Sequence, residues 1–423
     1  MPRGTYWRPL ENIVFWLAGF ANDGRVVICH LAAFFGHVAA IGILCALLGT
    51  IGVSRSAALL AAGLVAVHPA NAAAVWSVDS NNQTWSTAFG LLACLLALKE
   101  QKRWWVVSAM VASLWKESGI AWFAAVPVLC VMIEAFRGTE PTELKARFWA
   151  NRGWFATGLV GAMLYLAARF ALSGHMSLGA ASGRYAFGYN PVVWAKNAAL
   201  LLGVVVVPAD TVAIFGRAHS LVAGLLPALL AVPFLVVAAR ELGRAVLGRV
   251  FWPWLACLML AALMAPHIFI GHVSEMYAHP FTLAATVPLC LLFRTRWRGS
   301  ARAVIVLLAP LLFAFLLVDV SKFREMLATT RLGKAFARRS GALLEPYRKD
   351  GICFIPEDYR SWPGGYSVFQ MDQGSAAGWG KALVLEWGWE RYDAIVVDRL
   401  PAECSANLRR MRVGRDGSLR DAK

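Results

Sequence analysis

The sequence predicts an all-α polytopic membrane protein with about ten transmembrane helices and a small C-terminal α/β soluble domain. Three observations predict it. Of 423 residues, 59% are hydrophobic and 16% charged, and mean hydropathy is +0.57, beyond the range of ordinary soluble proteins. Apolar runs long enough to enter a bilayer alternate with short basic links. Acidic residues are sparse through the first 300 positions and crowd into the last hundred. The division is therefore a leader over 1–24, a membrane domain over 25–320 and an extracytoplasmic tail domain over 321–423.

The net charge of +16 does not point to nucleic acid, because Lys and Arg cluster in the links between apolar runs, as the positive-inside bias requires. The leader is largely polar and has no cleavable signal, so insertion rests on the transmembrane helices themselves. Six of the eight Cys lie in apolar runs and read as small core residues. Cys353 and Cys404 are in the tail, where they could pair if it lies outside, and no Cys spacing resembles a metal site.

In chain order, the leader holds Tyr6-Trp-Arg-Pro-Leu10 and a short apolar segment over 13–21 that reads as an interfacial helix. Spans are expected at 25–49, 55–74 and 81–98, since about 20 apolar residues cross the hydrocarbon. The polar stretch from His68 to Trp85 lies between the second and third. Residues 104–134 are too many for one crossing at ~1.5 Å per residue and carry Lys116-Glu117 in their middle, which predicts two short helices with that pair at the turn. A span over 154–172 follows, then a Gly- and Ser-rich loop. Residues 191–207 read as re-entrant or interfacial, because a full crossing would put the basic link 240–249 on the wrong face. Further spans fall at 221–239, 251–270, 281–293 and 304–320.

The strongest inside signal is Arg294-Thr-Arg-Trp-Arg298 with Arg302. Counting back from it places His68, Lys116-Glu117, Asp210, Glu275 and the tail on the outer face. In the tail, 352–355, 366–369, 382–385 and 392–397 look like short strands between turn residues. Gly374-Ser-Ala-Ala-Gly-Trp-Gly380 lacks the spacing of a phosphate loop.

Several residues could carry chemistry. Opposite charges set in an apolar run are expensive unless they pair or serve a ligand, so Lys116-Glu117 is either a salt bridge marking the turn or a site in which Lys116 meets a phosphate and Glu117 a hydroxyl or a metal. Pro69 ends or kinks a helix, leaving the His68 imidazole either purely structural or a donor to a phosphate or sugar hydroxyl. His30 and His37 lie two turns apart on one helix face. Glu275, in Ser274-Glu-Met-Tyr-Ala-His-Pro280, is a further outer-face acid, and Asp79 is the one acid of the polar stretch.

These pieces, in this order, resemble the polytopic glycosyltransferases of the GT-C superfamily, in particular bacterial relatives of the TPR-containing protein O-mannosyltransferases. The Tyr-Trp-Arg-Pro-Leu leader is similar to their first outer loop. His30 and His37 match a His-x6-His helix, and His68-Pro69 with Ala-Val-Trp matches a His-Pro loop. Lys116-Glu117 falls at a Lys-Glu turn, and Glu275-Met-Tyr277 stands where Glu-Arg-Tyr is usual. The match covers most of residues 6–300.

The resemblance implies a hexosyltransferase of the bacterial inner membrane, with its C-terminal domain on the outer face. It would move a sugar from a polyprenyl-phosphate donor to a protein, lipid or glycan acceptor by inverting displacement. Asp79 and Glu117 would be the catalytic acids. Arg8, His30, His68, Lys116, Glu275, Tyr277 and His279 would bind substrate, and the family allows a divalent metal. Partners would be the lipid-linked sugar, membrane lipid and an acceptor, with no nucleic acid.

Departures from the pattern matter. Relatives begin with a further transmembrane helix followed by an acidic pair, and this chain starts beyond both. Ala72 and Ala73 stand where the His-Pro loop has an acid, Asn81-Asn-Gln83 replaces an Arg-x-Asp, and Met276 replaces the Arg of Glu-Arg-Tyr. The expectation is a start site placed too far downstream. The alternatives are an inactive or truncated homologue, or a lipid-carrier binding or transport protein.

Overall fold

The computed structural model describes residues 7–20, 25–77, 80–137, 149, 152–173, 188–211, 221–248, 251–270, 274–293, 306–324, 327, 331, 352–356, 394–396, 409–413 and 419–421. The helices are α1 (Pro9–Gly19), α2 (Arg25–Thr50), α3 (Arg55–Ala66), α4 (Ala72–Trp76), α5 (Asn81–Leu98), α6 (Lys102–Trp115), α7 (Trp122–Phe136), α8 (Arg152–Ser173), α9 (Pro191–Val206), α10 (Leu221–Leu247), α11 (Trp252–Ile268), α12 (His279–Phe293) and α13 (Val306–Arg324). Short 3-10 turns at Pro69–Asn71, Glu117–Ala121 and Glu275–Ala278 interrupt them.

Six of these segments are long and apolar enough to cross a membrane, or seven if the bent pair α3 and Pro69–Trp76 is one span. The expectation of about ten counted shorter helices as crossings. Helix α9 has 16 residues and reaches ~24 Å, less than the ~30 Å hydrocarbon thickness. Helix α5 has the expected bounds, 81–98. Helix α1 begins earlier than expected, with Pro9 at its first turn where the missing N–H costs nothing.

The expected span over 55–74 does not run through. Helix α3, capped by Ser54 accepting from the Ala57 N–H, stops at Ala66, and the chain bends by 53° into the segment from Pro69. Pro69 cannot donate to the helix ladder, and side chains take over the groups this frees. The His68 Nδ1 accepts from the Ala70 N–H at 3.2 Å, and Asn71 donates to the Val65 carbonyl at 2.8 Å. Thr282 on α12 donates in turn to Asn71 Oδ1 at 2.7 Å, fixing the bend against its neighbour.

Residues 104–134 resolve as two helices around Lys116-Glu117, as expected: α6 ends at Trp115 and α7 begins at Trp122. In the core, α5 packs against α2 and α6, and α7 packs against α11 and α8. Small residues make these approaches close. The Trp122 indole fills the space a side chain at Gly90 would need, and Gly119 lies against the Ala112 backbone. Helix α7 is largely enclosed, whereas α8 leaves Leu159, Val160, Met163 and Leu164 exposed, as a lipid-facing helix does.

Contacts divide the chain into two units, Met1–Pro208 with Leu230–Leu316, and Ala209–Leu229 with Leu317–Lys423. The second holds a four-stranded sheet, β1 (Ile352–Pro356), β2 (Ala394–Val396), β3 (Arg409–Val413) and β4 (Leu419–Asp421), in the order β2-β1-β3-β4. Strand β1 pairs in parallel with β2 (Ile352 opposite Ala394) and β3 (Ile352 opposite Arg409), and β4 pairs antiparallel with β3. Strands β1 and β2 fall within the expected 352–355 and 392–397 to a residue. The expected strands 366–369 and 382–385 lie outside the described residues.

A Cβ at position 90 would overlap the ring of Trp122, which is 2% exposed and has nowhere to go. Gly90→Ala should therefore destabilise the detergent-solubilised protein by about 1–3 kcal/mol, seen as a lowered Tm in a thermal scan. Gly63→Ala, where nothing lies within 4 Å, should leave Tm in place or raise it.

Candidate functional site

The first half of α5 is polar, yet Asn81, Asn82, Gln83, Thr84, Ser86 and Thr87 are all buried. Buried amides need partners, and two of these find charged ones. Asn82 donates to the Glu11 carboxylate on α1. Gln83 Oε1 accepts from Lys116 Nζ at the end of α6. Leader and Lys-Glu turn thus meet over one face of α5.

Glu11 and Glu117 share Arg8. Its Nε donates to Glu117 Oε2 at 2.8 Å, and its Nη1 donates to Glu11 Oε2 at 3.2 Å. On the far side of Glu117, Arg169 Nη1 lies 3.7 Å from Oε1. Arg169 is 1% exposed near the C-terminal end of apolar α8, one turn beyond the buried Tyr165, whose ring packs 5.8 Å from Trp7. Lys116 Nζ sits 4.8 Å over the Tyr277 ring, which stacks at 4.5 Å on His267. Cations outnumber carboxylates in this group, and Arg8 is its half-buried member, the one that reaches solvent.

Burial pushes the Glu11 carboxyl up from its ordinary range, and the Arg8 charge and the Asn82 hydrogen bond pull against that without cancelling it. Burial acts against the Arg8 cation, but Glu117 and Glu11 together outweigh it and hold the guanidinium above its ordinary value. An acid whose proton is held more tightly than usual, beside fixed cations, is equipped to exchange a proton with a bound group.

Of the residues singled out in the sequence, Arg8, Lys116, Glu117 and Tyr277 come together. Glu275 is half-buried and opens the 3-10 turn that ends in Ala278, and Met276 of that turn accepts from the Ser80 hydroxyl at 3.2 Å. His68 is engaged as the bend's cap: Nδ1 accepts from Ala70, so Nε2 carries the proton and donates to the Val205 carbonyl at 3.1 Å. That is the helix-ending role, with both nitrogens occupied. His279 pairs with His37 at 2.9 Å and lies 3.0 Å from the Thr87 hydroxyl, joining α12, α2 and α5. His30 is half-buried on α2, outside both groups. Asp79 lies outside the described residues.

Sequence reasoning missed Glu11 and Arg169. Both left a signal: an acid at the edge of the leader's apolar segment, and a lone Arg within an expected span, where an ionisable residue is a site candidate by default. Among the described residues no three His, Cys, Asp or Glu side chains converge as ligands of a metal ion would.

No family model matches the sequence, and no curated protein does. Among solved structures, the chain is similar to the oligosaccharyltransferase of Archaeoglobus fulgidus, crystallised with a tethered acceptor peptide containing the NVT sequon. Identity is 14% and the TM-score 0.41, over 86% of this chain and 56% of that one. The chain thus spans little more than half of that protein's length.

Removing the Glu117 charge takes a carboxylate from both Arg8 and the buried Arg169. Glu117→Gln should destabilise the protein by about 3 kcal/mol, measured as a loss of Tm. Removing Arg8 as well should cost less than the two single losses combined. Full additivity in that double-mutant cycle would show that the pair is not coupled.

Proposed function

We propose that the chain is a membrane glycosyltransferase of the GT-C type, moving a sugar from a polyprenyl-phosphate donor to an acceptor at the outer face of a bacterial inner membrane. One observation carries the reading. Four stretches remote in sequence, the Trp-Arg-Pro leader, the start of α5, the Lys116-Glu117 turn and Glu275-Met-Tyr277, pack around one buried, cation-rich group. Three of them, the leader, the Lys116-Glu117 turn and Glu275-Met-Tyr277, are stretches by which the sequence resembles that superfamily, and the start of α5 is where it departs from the pattern.

In this reading the acceptor hydroxyl oxygen attacks the anomeric carbon as the bond from that carbon to the phosphate oxygen breaks. The electron pair leaves with polyprenyl phosphate, whose added negative charge Arg8 and Lys116 stabilise. The hydroxyl proton passes to a carboxylate. Glu11 is the described acid suited to take it, and Asp79 is the other candidate. Glu117, held between Arg8 and Arg169, positions the cations. Protein, lipid and glycan acceptors are all compatible with this chemistry.

A second reading, binding of a lipid carrier without transfer, draws on Asn81 and Gln83: they are amides that cannot take a proton, at positions where the resembled relatives carry charge. Membranes carrying the chain, supplied with a radiolabelled polyprenyl-phosphate sugar, separate the two. Label transferred to an acceptor supports the enzyme, and donor retained without transfer supports the carrier.

Lys116→Ala and Arg8→Ala should each raise the donor KM about tenfold, a loss of ~1.4 kcal/mol. Unchanged kinetics in both would remove these residues from the site. Because the Glu11 carboxyl is shifted up, a base role makes transfer rise with pH through a value above the ordinary carboxylate range. Glu11→Gln should lower kcat at least a hundredfold and abolish that rise while donor binding persists.

A further inference from the structure

A second polar group joins α2, α5 and α12. The Ala66 carbonyl at the end of α3, His37, His279 and the Thr87 hydroxyl stand in one line, at successive separations of 3.2, 2.9 and 3.0 Å. Thr87 Oγ1 then lies 2.8 Å from the Gln83 carbonyl, one turn earlier in α5. His37, Thr87 and His279 are all buried. The line begins and ends on a carbonyl, which can only accept.

Counting protons shows what the line can hold. The Ala66 carbonyl relies on His37, because Pro69 has no N–H and the Ala70 N–H goes to His68. His37 Nε2 therefore carries a proton, and in a neutral ring Nδ1 accepts. His279 then donates from Nε2, which leaves its own Nδ1 to accept from Thr87. Two neutral rings and one hydroxyl bring three protons to four contacts, so the Thr87 hydroxyl has to turn away from Gln83. A fourth proton, on His279 Nδ1, completes the line: Nδ1 donates to Thr87, and Thr87 donates to Gln83. No heavy atom moves, and protonation gains a hydrogen bond instead of breaking one.

The charge so added is costly out of water unless an opposite one is near. Lys116 Nζ donates to the side chain of Gln83, the residue whose carbonyl ends the line, and the Lys116 charge is felt at His279. Two cations at this range repel, and an anion laid against Lys116 removes that repulsion. Besides the thiols, the other ionisable groups on the surrounding elements are His30 on α2, His68 before the Pro69 turn, Glu275 and Tyr277 in the turn before α12, and His267 on α11. Arg25 and Arg55 stand at the far starts of α2 and α3. We propose that the His37–His279 pair is a proton-binding site coupled to the cation group, taking up one proton as an anionic headgroup settles on Lys116. It rests on the reading that Lys116 receives the donor phosphate, and by linkage proton and anion strengthen each other's binding.

Binding of farnesyl phosphate glucose to the full chain in nanodiscs tests it, followed from about pH 8 to about pH 5, across the imidazole range. This probe is a phosphodiester, whose single charge does not titrate there. His37→Gln and His279→Gln put an amide that takes no proton into the line, and Thr87→Val removes the acceptor that the added proton needs. The rise in affinity as pH falls should be about tenfold larger in the wild type than in these three, a comparison that cancels the share of Glu11. Thr286→Val, which removes a like hydroxyl bonded within α12, should keep the full wild-type rise. Nitrogen NMR of isotopically labelled histidine reads the unmutated chain: at fixed pH an imidazolium signal should appear when the probe is added. The same pH profile in the wild type and all three variants, or no imidazolium signal on binding, would overturn the site and leave the transfer reading in place. Failure of the probe to bind at any pH would overturn the donor assignment of that reading and this coupling with it.

Discussion

Everything in the polar end of this bundle depends on keeping Glu117 paired. A carboxylate among apolar helices loses the hydration that stabilises its charge, and it persists there only with cations in direct reach. The chain brings one from each side, Arg8 at 2.8 Å from the leader and Arg169 at 3.7 Å from α8. Neither lies near Glu117 in sequence, so the pairing ties α1, the turn between α6 and α7, and α8 into one arrangement. Arg8 is then close enough to engage Glu11, and Glu11 in turn accepts from Asn82. The ion pairs build the site as well as stabilising it.

Helix α5 shows the same constraint from the other direction. Its second half, from Ala88 to Leu98, is apolar and packs by shape. Its first half buries amides and hydroxyls, which apolar packing alone would make costly. The cost is offset where these groups meet partners from other elements, Glu11 for Asn82, Lys116 for Gln83 and His279 for Thr87, while Thr84 donates to the Asn81 carbonyl of its own helix. Polar residues at one end of the helix therefore select which neighbours can pack there, while the apolar end sets how closely they pack.

Much of this was legible in the sequence where a local rule was decisive. Lys116-Glu117 in an over-long apolar run placed the break between α6 and α7, and the onset of polarity at Asn81 placed the start of α5. Pro69 signalled the bend, although the helix before it ends sooner than composition suggests, because polar contacts at His68 and Asn71 replace the ladder from Ala66 onward. The site was half legible. Arg8, Lys116, Glu117 and Tyr277 belong to recognisable short motifs, while Glu11 and Arg169 stand alone in apolar surroundings, and only tertiary packing shows that they point inward. Strands β3 and β4 carry charge in nearly every other position, Arg409-Arg-Met-Arg-Val413 above all, which hides the alternation that identifies a strand.

The amides at the start of α5 make sense beside Glu11. Asn82 presents an N–H to a carboxylate supplied by α1. A carboxylate at 82 would stand directly against that of Glu11, and two like charges in contact and out of water cannot both stay ionised. The acid and the amide are therefore alternatives across one hydrogen bond. A chain that places its acid on α1 therefore needs an uncharged donor at the facing position of α5, and Asn82 supplies it.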